Sequence, residues 1–384
     1  MAHFSGREDS YAAVSAQLAL VAARSARATL QEQADRRQNA LEGQNTGERY
    51  GLAGKEPAAI VLGLMAGVRF NADSDTPNSV DEKGNTLYYP DARPKVSRAL
   101  AAWAAAGVRG AISLGNIIDR GNGMMRTRKA VAEMLSTFAE FKSHTWRWRL
   151  SHVHSENVFR SAVLHVPGEH DLAYASVEEV TDLMGFSTYT SSRQSPPGHA
   201  YHMVDTKVGW RLIFLHTLDV SVASPDLEKR EEARAFLDKK RRQGGDATVS
   251  GGAVGRTQLT WLREQLASAG AAGDKAVVFS YAPLSESLAR QGDASLVCWN
   301  CKEVMEVMFA FPGVVPLCLS GQQLLGGRAC DDRHSRGLGR IQHVGLKAVL
   351  ATPEGGDASV TLSLFKERVE LQGAVSASIP CGLA

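Results

Sequence analysis

Short apolar runs alternate with helical patterns from Pro57 onward, which is typical of an α/β domain. The apolar runs predict buried strands at 60–65, 111–114, 162–166, 212–215, 276–279 and 314–319. Apolar residues at helical spacing predict helices near 92–106, 126–142, 257–269 and 301–310. Toward the carboxyl terminus, strand-like runs follow one another without helices between them, at 341–346, 360–365 and 368–371. This change favours a sandwich of two sheets over a single doubly wound sheet.

The first 55 residues have a different pattern from the rest of the chain. Tyr11, Val14, Leu18 and Val21 fall at helical spacing and form a narrow apolar stripe in an Ala- and Arg-rich segment. Residues 1–55 are therefore expected to form a helical extension and linker ahead of a domain at 56–384. Such a helix can pack on its own domain or dock on another protein.

Two segments have the character of insertions, near 143–159 and 226–250. The first contains alternating Trp and Arg, which could stack on nucleic-acid bases, although a protein contact or a solvated hairpin is favoured. Its histidines fit no standard metal-ligand spacing. The second alternates acidic and basic residues and predicts a solvated helix.

Composition and charge exclude several classes of protein. The 384 residues carry 43 Lys+Arg and 41 Asp+Glu, a net charge of +2, so neither a nucleic acid nor another polyanion is expected as a partner. No segment has about 18 uninterrupted apolar residues, so no membrane span is expected. Five irregularly spaced cysteines suit a reducing compartment. The one CxxC pair, Cys298 and Cys301, lacks the second pair of a typical zinc site.

The loops that follow the predicted strands contain the candidate chemistry, because parallel strands place their carboxyl ends at one edge of a sheet. In chain order these loops read MAGV (65–68), LGNIID (114–119), PGEHD (167–171), FSYAP (279–283) and SGQQLLGG (320–327).

This series resembles the loops of the calcineurin-like metallophosphoesterases, which read D-x-H or Q, G-D-x-x-D, G-N-H-D or E, H and G-H-x-H. The chain is most similar to their manganese-dependent ADP-ribose/CDP-alcohol diphosphatases, through further motifs at 218–222, 251–252, 258–262 and 299–300. The resemblance covers about 58–373 and implies a four-layer α/β/β/α sandwich. It also implies metal-dependent hydrolysis of phosphodiester or diphosphate bonds, in which two metal ions bridge a phosphate and activate water.

The chain departs from the family at all seven metal-ligand positions. Those positions are occupied by Ala66, Val68, Asn116, Glu169, Tyr281, Gln322 and Leu324. The positions that keep the family's residue are Asp119, the would-be catalytic His170, and Asp171. Alanine, valine and leucine offer no donor atom, and neutral amides are weak ligands for a divalent ion. We therefore expect a vestigial site with no catalytic residue, no metal and no cofactor.

These departures predict a catalytically inactive protein that serves as a structural or interaction subunit of a larger assembly. Its expected partners are other protein subunits, bound through the N-terminal helix and the insertions. A cytoplasmic place in a ciliary or microtubule-based structure is favoured over a mitochondrial complex, because Glu8 and Asp9 interrupt the presequence-like N-terminus. The alternatives are a residual hydrolase with a single divalent ion at Glu169 and His170, assisted by Asn116, and a nucleotide-binding pseudoenzyme.

Overall fold

The computed structural model of the chain describes residues 57–73, 75–141, 163–184, 199–222, 224, 227–242, 248, 251–333 and 339–381. The helical extension predicted for 1–55 and the insertion predicted for 143–159 lie outside these residues. The boundary between an extension and a domain therefore stays a prediction.

The strands are β1 (Ile60–Met65), β2 (Ser79–Val80), β3 (Thr86–Leu87), β4 (Gly110–Ser113), β5 (Val163–His165), β6 (His202–Asp205), β7 (Trp210–Leu215), β8 (Lys275–Ser280), β9 (Leu317–Ser320), β10 (Leu325–Asp332), β11 (Arg340–Lys347), β12 (Val360–Leu364), β13 (Arg368–Gly373) and β14 (Ala377–Pro380). The α-helices are α1 (Ala92–Ala105), α2 (Gly123–Ala139), α3 (Val177–Leu183), α4 (Leu227–Arg242), α5 (Arg256–Ala272), α6 (Glu286–Ala289) and α7 (Cys301–Phe309).

Two six-stranded sheets form the framework. The order of the first is β14-β13-β12-β1-β4-β5, and that of the second is β10-β11-β9-β8-β7-β6. Strands β1, β4 and β5 pair in parallel, as do β7, β8, β9 and β11. The predicted fold class is therefore confirmed, since both sheets and their flanking helices are present.

The main core lies between the two sheets. Leu62 and Leu64 of β1 share one buried cluster with Phe214 of β7 and Phe279 of β8. Alternate residues of β8, such as Val278, belong instead to a second cluster with α5 and α7. This alternation is the period-two pattern of a strand that is buried on both faces. Helices α5 and α7 thus cover the outer face of the second sheet.

Helix α4 confirms the solvated helix predicted within 226–250. Ala233 and Leu237 are its buried residues. Lys229 reaches back from the helix to Asp219, with an Nζ–Oδ1 distance of 2.6 Å. Because Asp219 is largely buried, this ion pair anchors the first turns of α4 to the loop after β7.

We expect Lys229→Ala to loosen α4 without unfolding the domain. A partly exposed ion pair contributes about 1 kcal/mol, which corresponds to about fivefold faster hydrogen exchange in α4. Exchange measured by mass spectrometry checks this, with exposed Lys239→Ala as the matched control. Unchanged exchange in Lys229→Ala would contradict the anchoring role.

Candidate functional site

The loops after β1 and β4 run side by side at one end of the first sheet. The Gly67 N–H donates to the Gly115 carbonyl at 3.1 Å, and the Arg69 N–H donates to the Asn116 carbonyl at 2.8 Å. These backbone bonds hold the two loops in a fixed register, so their side chains project at the same edge.

Close backbone approach brings the remaining loops to this edge. Gly115 has a φ of +90°, and a Cβ there would lie 2.7 Å from the Tyr281 ring. A Cβ on Gly321 would overlap the Leu114 carbonyl oxygen. The site therefore gathers loops from both sheets, as expected for strands that end on the same side of a sandwich.

Asn116, at the position of the family's bridging aspartate, links three of these loops. Its backbone adopts a φ of +54°, which asparagine tolerates better than most residues. Its Nδ2 donates to the Tyr281 hydroxyl at 2.9 Å, and its Oδ1 accepts the His170 N–H at 2.9 Å. Both ends of the amide are thus engaged within the protein.

Asp171 ties the loop after β4 to the loop after β5. Its fully buried carboxylate accepts N–H groups from Asn116 at 2.8 Å, Ile118 at 3.2 Å and Gly168 at 2.9 Å. Burial raises the pKa of Asp171 to about 6, against the lowering effect of these backbone donors. The residue is therefore a clamp between loops.

Asp119 and His170 form a mostly buried pair beside this clamp. The distance between Asp119 Oδ2 and His170 Nδ1 is 3.4 Å. His170 Nδ1 accepts the Arg120 N–H at 3.0 Å, and this contact assigns the proton of the neutral ring to Nε2. Burial lowers the pKa of His170, which outweighs the raising effect of Asp119. The imidazole is therefore neutral near pH 7.

The Asp119 carboxylate stays ionised although it is buried. Burial alone raises its pKa, but the neighbouring His170, the Arg69 guanidinium and the Gly121 N–H together lower it below the ordinary range. Its Oδ2 lies 2.7 Å from Arg69 Nε, and its Oδ1 accepts the Gly121 N–H at 2.6 Å.

Two arginines at this edge are absent from the sequence-based set of candidates. Arg69 pairs with Asp119, and the guanidinium of Arg120 pairs with Glu169. Their position in the sequence could have identified them as site residues. Each arginine lies in a strand-end loop, and Arg120 directly follows Asp119.

The other candidate positions are mostly apolar or enclosed. Ala66 and Val68 are fully buried, and Leu324 packs against the main core. The buried Tyr281 hydroxyl has a pKa raised above its ordinary value, chiefly by burial. Gln322 Oε1 is buried without a hydrogen-bond partner among the described groups.

The donor set does not fit a two-metal centre. Within the described ranges, no group of three or more His, Cys, Asp or Glu side chains is arranged to hold a metal ion. The Glu169 carboxylate is paired with Arg120, and His170 Nδ1 already accepts a hydrogen bond. Gln322 adds one neutral oxygen, so these side chains together offer too few strong ligands for two divalent ions.

The two cysteines of the CxxC segment are enclosed. Burial raises the pKa of Cys298 to about 12 and that of Cys301 to about 11. Both thiols are therefore protonated at neutral pH, which disfavours a redox or zinc-binding role.

No protein-family model matches the chain, but curated relatives do. It is 24% identical to the manganese-dependent ADP-ribose/CDP-alcohol diphosphatase of Oryza sativa subsp. japonica over 329 residues, which is 81% of this chain and 90% of the relative. It is 23% identical to the Mus musculus protein of the same name, over 68% of this chain and 75% of the relative.

A solved structure has the same fold. The dimetal phosphatase from Danio rerio superposes with a TM-score of 0.69 and 20% identity, covering 85% of this chain and 100% of that chain. The resemblance predicted from the loop motifs is thus confirmed. The degeneracy of the metal site remains a prediction.

Two predictions from the sequence are contradicted by these relatives. The prediction that the protein is not an enzyme is wrong, because the curated relatives are named as diphosphatases. The prediction of no cofactor is wrong too, because the names of these relatives specify manganese, which points to a metal cofactor. Both predictions rested on the seven ligand positions alone.

The remaining functional predictions concern the parent assembly, the cellular location and the partners of the protein. Nothing in the described structure or among these relatives supports a structural subunit or a ciliary, cytoskeletal or mitochondrial place. The predicted protein partners stay a prediction. Among the described helices, none is both long enough and apolar enough to cross a membrane.

Proposed function

We propose that this chain, a relative of the manganese-dependent ADP-ribose/CDP-alcohol diphosphatases, hydrolyses the diphosphate linkage of nucleotide-type substrates such as ADP-ribose. The observation that carries the proposal is the Asp119–His170 pair, at the edge where loops from both sheets meet. The similarity to the rice relative extends over 81% of the chain, which supports a shared reaction rather than a shared motif alone.

His170 is the proposed catalytic residue. Hydrolysis joins the oxygen of a water molecule to one phosphorus, breaks the bond from that phosphorus to the bridging oxygen, and releases a proton of the attacking water to the solvent. Negative charge grows on the bridging oxygen, which leaves with the second phosphate. A neutral His170 that carries its proton on Nε2 donates a hydrogen bond to this oxygen and stabilises the charge. The Arg120 N–H holds the ring in the required tautomer.

The full chain, incubated with ADP-ribose and added manganese(II), is expected to produce AMP and ribose 5-phosphate. We expect His170→Ala to lower kcat by about 100-fold, since the loss of one donor to a developing oxyanion has an effect of this size. His170→Gln is expected to recover part of the rate, because its amide also donates. The rate of product formation in each variant is measured by separating the products on an ion-exchange column.

Arg98→Gln, on the exposed part of α1, is the matched control and should keep the activity of the wild type. The proposal fails if the folded protein turns over neither ADP-ribose nor CDP-choline at any manganese concentration. It also fails if His170→Ala is as active as the control.

A further inference from the structure

Two guanidinium groups converge on the Asp119–His170 pair from different loops. Arg69 follows β1, and its Nε lies 2.7 Å from the Asp119 oxygen that is 3.4 Å from His170 Nδ1. Arg120 follows Asp119, and its backbone N–H contacts His170 Nδ1 at 3.0 Å. The Arg120 guanidinium pairs with the carboxylate of Glu169, the residue before His170, and burial together with the charges of both arginines lowers the pKa of His170.

The backbone of Arg69 is held in an unfavourable conformation. Its φ of +50° is in the left-handed region, which is sterically unfavourable for a residue with a long side chain. The hydrogen bond from the Arg69 N–H to the Asn116 carbonyl and the ion pair with Asp119 hold it there. Glycine or asparagine would suit this backbone better, so the arginine side chain is the feature that needs an explanation.

Each guanidinium is oriented by a carboxylate and remains partly exposed. The Arg69 side chain is 23% exposed and that of Arg120 is 51% exposed. Arginine carries five N–H donors in a planar fork. Arg69 uses Nε for Asp119, with Nη2 3.5 Å from the Tyr89 hydroxyl, and Arg120 uses Nη2 for Glu169. A carboxylate thus orients each fork, while other N–H groups remain for a ligand.

We propose that Arg69 and Arg120 bind the diphosphate group of the ligand, with one guanidinium on each phosphate. Guanidinium matches the geometry of phosphate oxygens and forms charge-assisted hydrogen bonds with them. Placed beside His170, the two groups also set the diphosphate next to the proposed catalytic donor. The assignment rests on the proposed function for its substrate class, but it concerns binding and is tested without turnover.

Calorimetric titration of the full chain with inorganic pyrophosphate tests the assignment. The wild type is expected to bind, and Arg69→Asn and Arg120→Gln are each expected to bind about tenfold or more weakly. Asparagine at 69 tolerates the left-handed backbone, so weaker binding by that variant reports on the side chain and not on strain. Lysine at either position keeps the charge but not the fork, and an intermediate affinity is expected.

Controls separate binding from folding and from catalysis. Arg98→Gln should bind like the wild type, and the double variant Arg120→Gln/Glu169→Gln removes both partners of the ion pair so that no carboxylate is left unpaired. Equal affinity in the wild type and the Arg69 and Arg120 variants would overturn the assignment, as would a wild type that does not bind pyrophosphate. Binding that depends on these arginines, in a protein that does not cleave ADP-ribose, would support the assignment and refute the proposed hydrolase.

Discussion

Asp171→Ala is expected to lower the free energy of unfolding by at least about 3 kcal/mol, because it leaves three buried backbone N–H groups without an acceptor. The carboxylate accepts these groups from Asn116, Ile118 and Gly168, which belong to two different loops. A buried donor without a partner costs about 1–3 kcal/mol. Urea unfolding followed by circular dichroism at pH 7 measures the change.

Asp171→Asn gives a graded comparison for this prediction. The amide keeps one acceptor oxygen but turns the other position into a donor that faces an N–H group, so a smaller loss than for alanine is expected. Asp357→Ala is the matched control, since Asp357 is exposed and accepts the Ser359 N–H from a surface loop. A loss below about 1 kcal/mol in Asp171→Ala would show that the loops hold together without the clamp.

Mild acid is expected to destabilise the protein strongly, because several buried histidines are neutral in the fold. Burial lowers the pKa values of His165, His216 and His343 to about 4 and that of His202 to about 3. In the unfolded chain a histidine titrates near 6.5. Between pH 6.5 and about 4 the unfolded chain therefore binds more protons than the folded chain, and stability falls as the pH falls.

The expected loss is large enough to measure between pH 7 and pH 5. Each of these histidines contributes a slope of up to about 1.4 kcal/mol per pH unit. Asp171 acts in the opposite direction below about pH 6, because its folded pKa is raised to that value. The net loss is about 5 kcal/mol, to be determined by urea unfolding at pH 7, 6 and 5.

His165→Phe isolates one of these histidines. Neither ring nitrogen of His165 has a hydrogen-bond partner among the described residues, and the ring meets Phe138 edge-on at 5.0 Å between centroids. Phenylalanine fills a similar volume without a titrating group. We expect the pH slope of stability to fall by about 1.4 kcal/mol per unit between pH 6 and 5. A variant with the slope of the wild type would contradict this origin of the acid sensitivity.

Much of the fold could be predicted because the strands that build it are buried. The run at 60–65 coincides with β1, and the runs at 276–279 and 360–365 match β8 and β12 to within one residue at each end. An apolar run of this length has few alternatives to a buried strand. The helices at 92–106 and 301–310 also match α1 and α7 closely.

Strands β6 and β10 are not predicted from the sequence, because their residues do not form a continuous apolar run. Strand β10 reads LGGRACDD and is exposed or half-buried along its whole length, because it forms an edge of the second sheet. It is a strand because it pairs with β11. Strand β6 begins at His202, whose ring stacks on Phe214 in the core, and a histidine gives no apolar signal.

The sequence by itself determined which loops form the site and which ligand positions have lost their usual residues. Both follow from local information, since a buried strand and the motif behind it are read from a few neighbouring residues. Only the tertiary structure decided which charges meet there. Arg69 and Asp119 are 50 residues apart and pair because β1 and β4 are parallel neighbours. It also decided that His165 and Asp171 are fully enclosed, and burial of that kind depends on packing between distant segments.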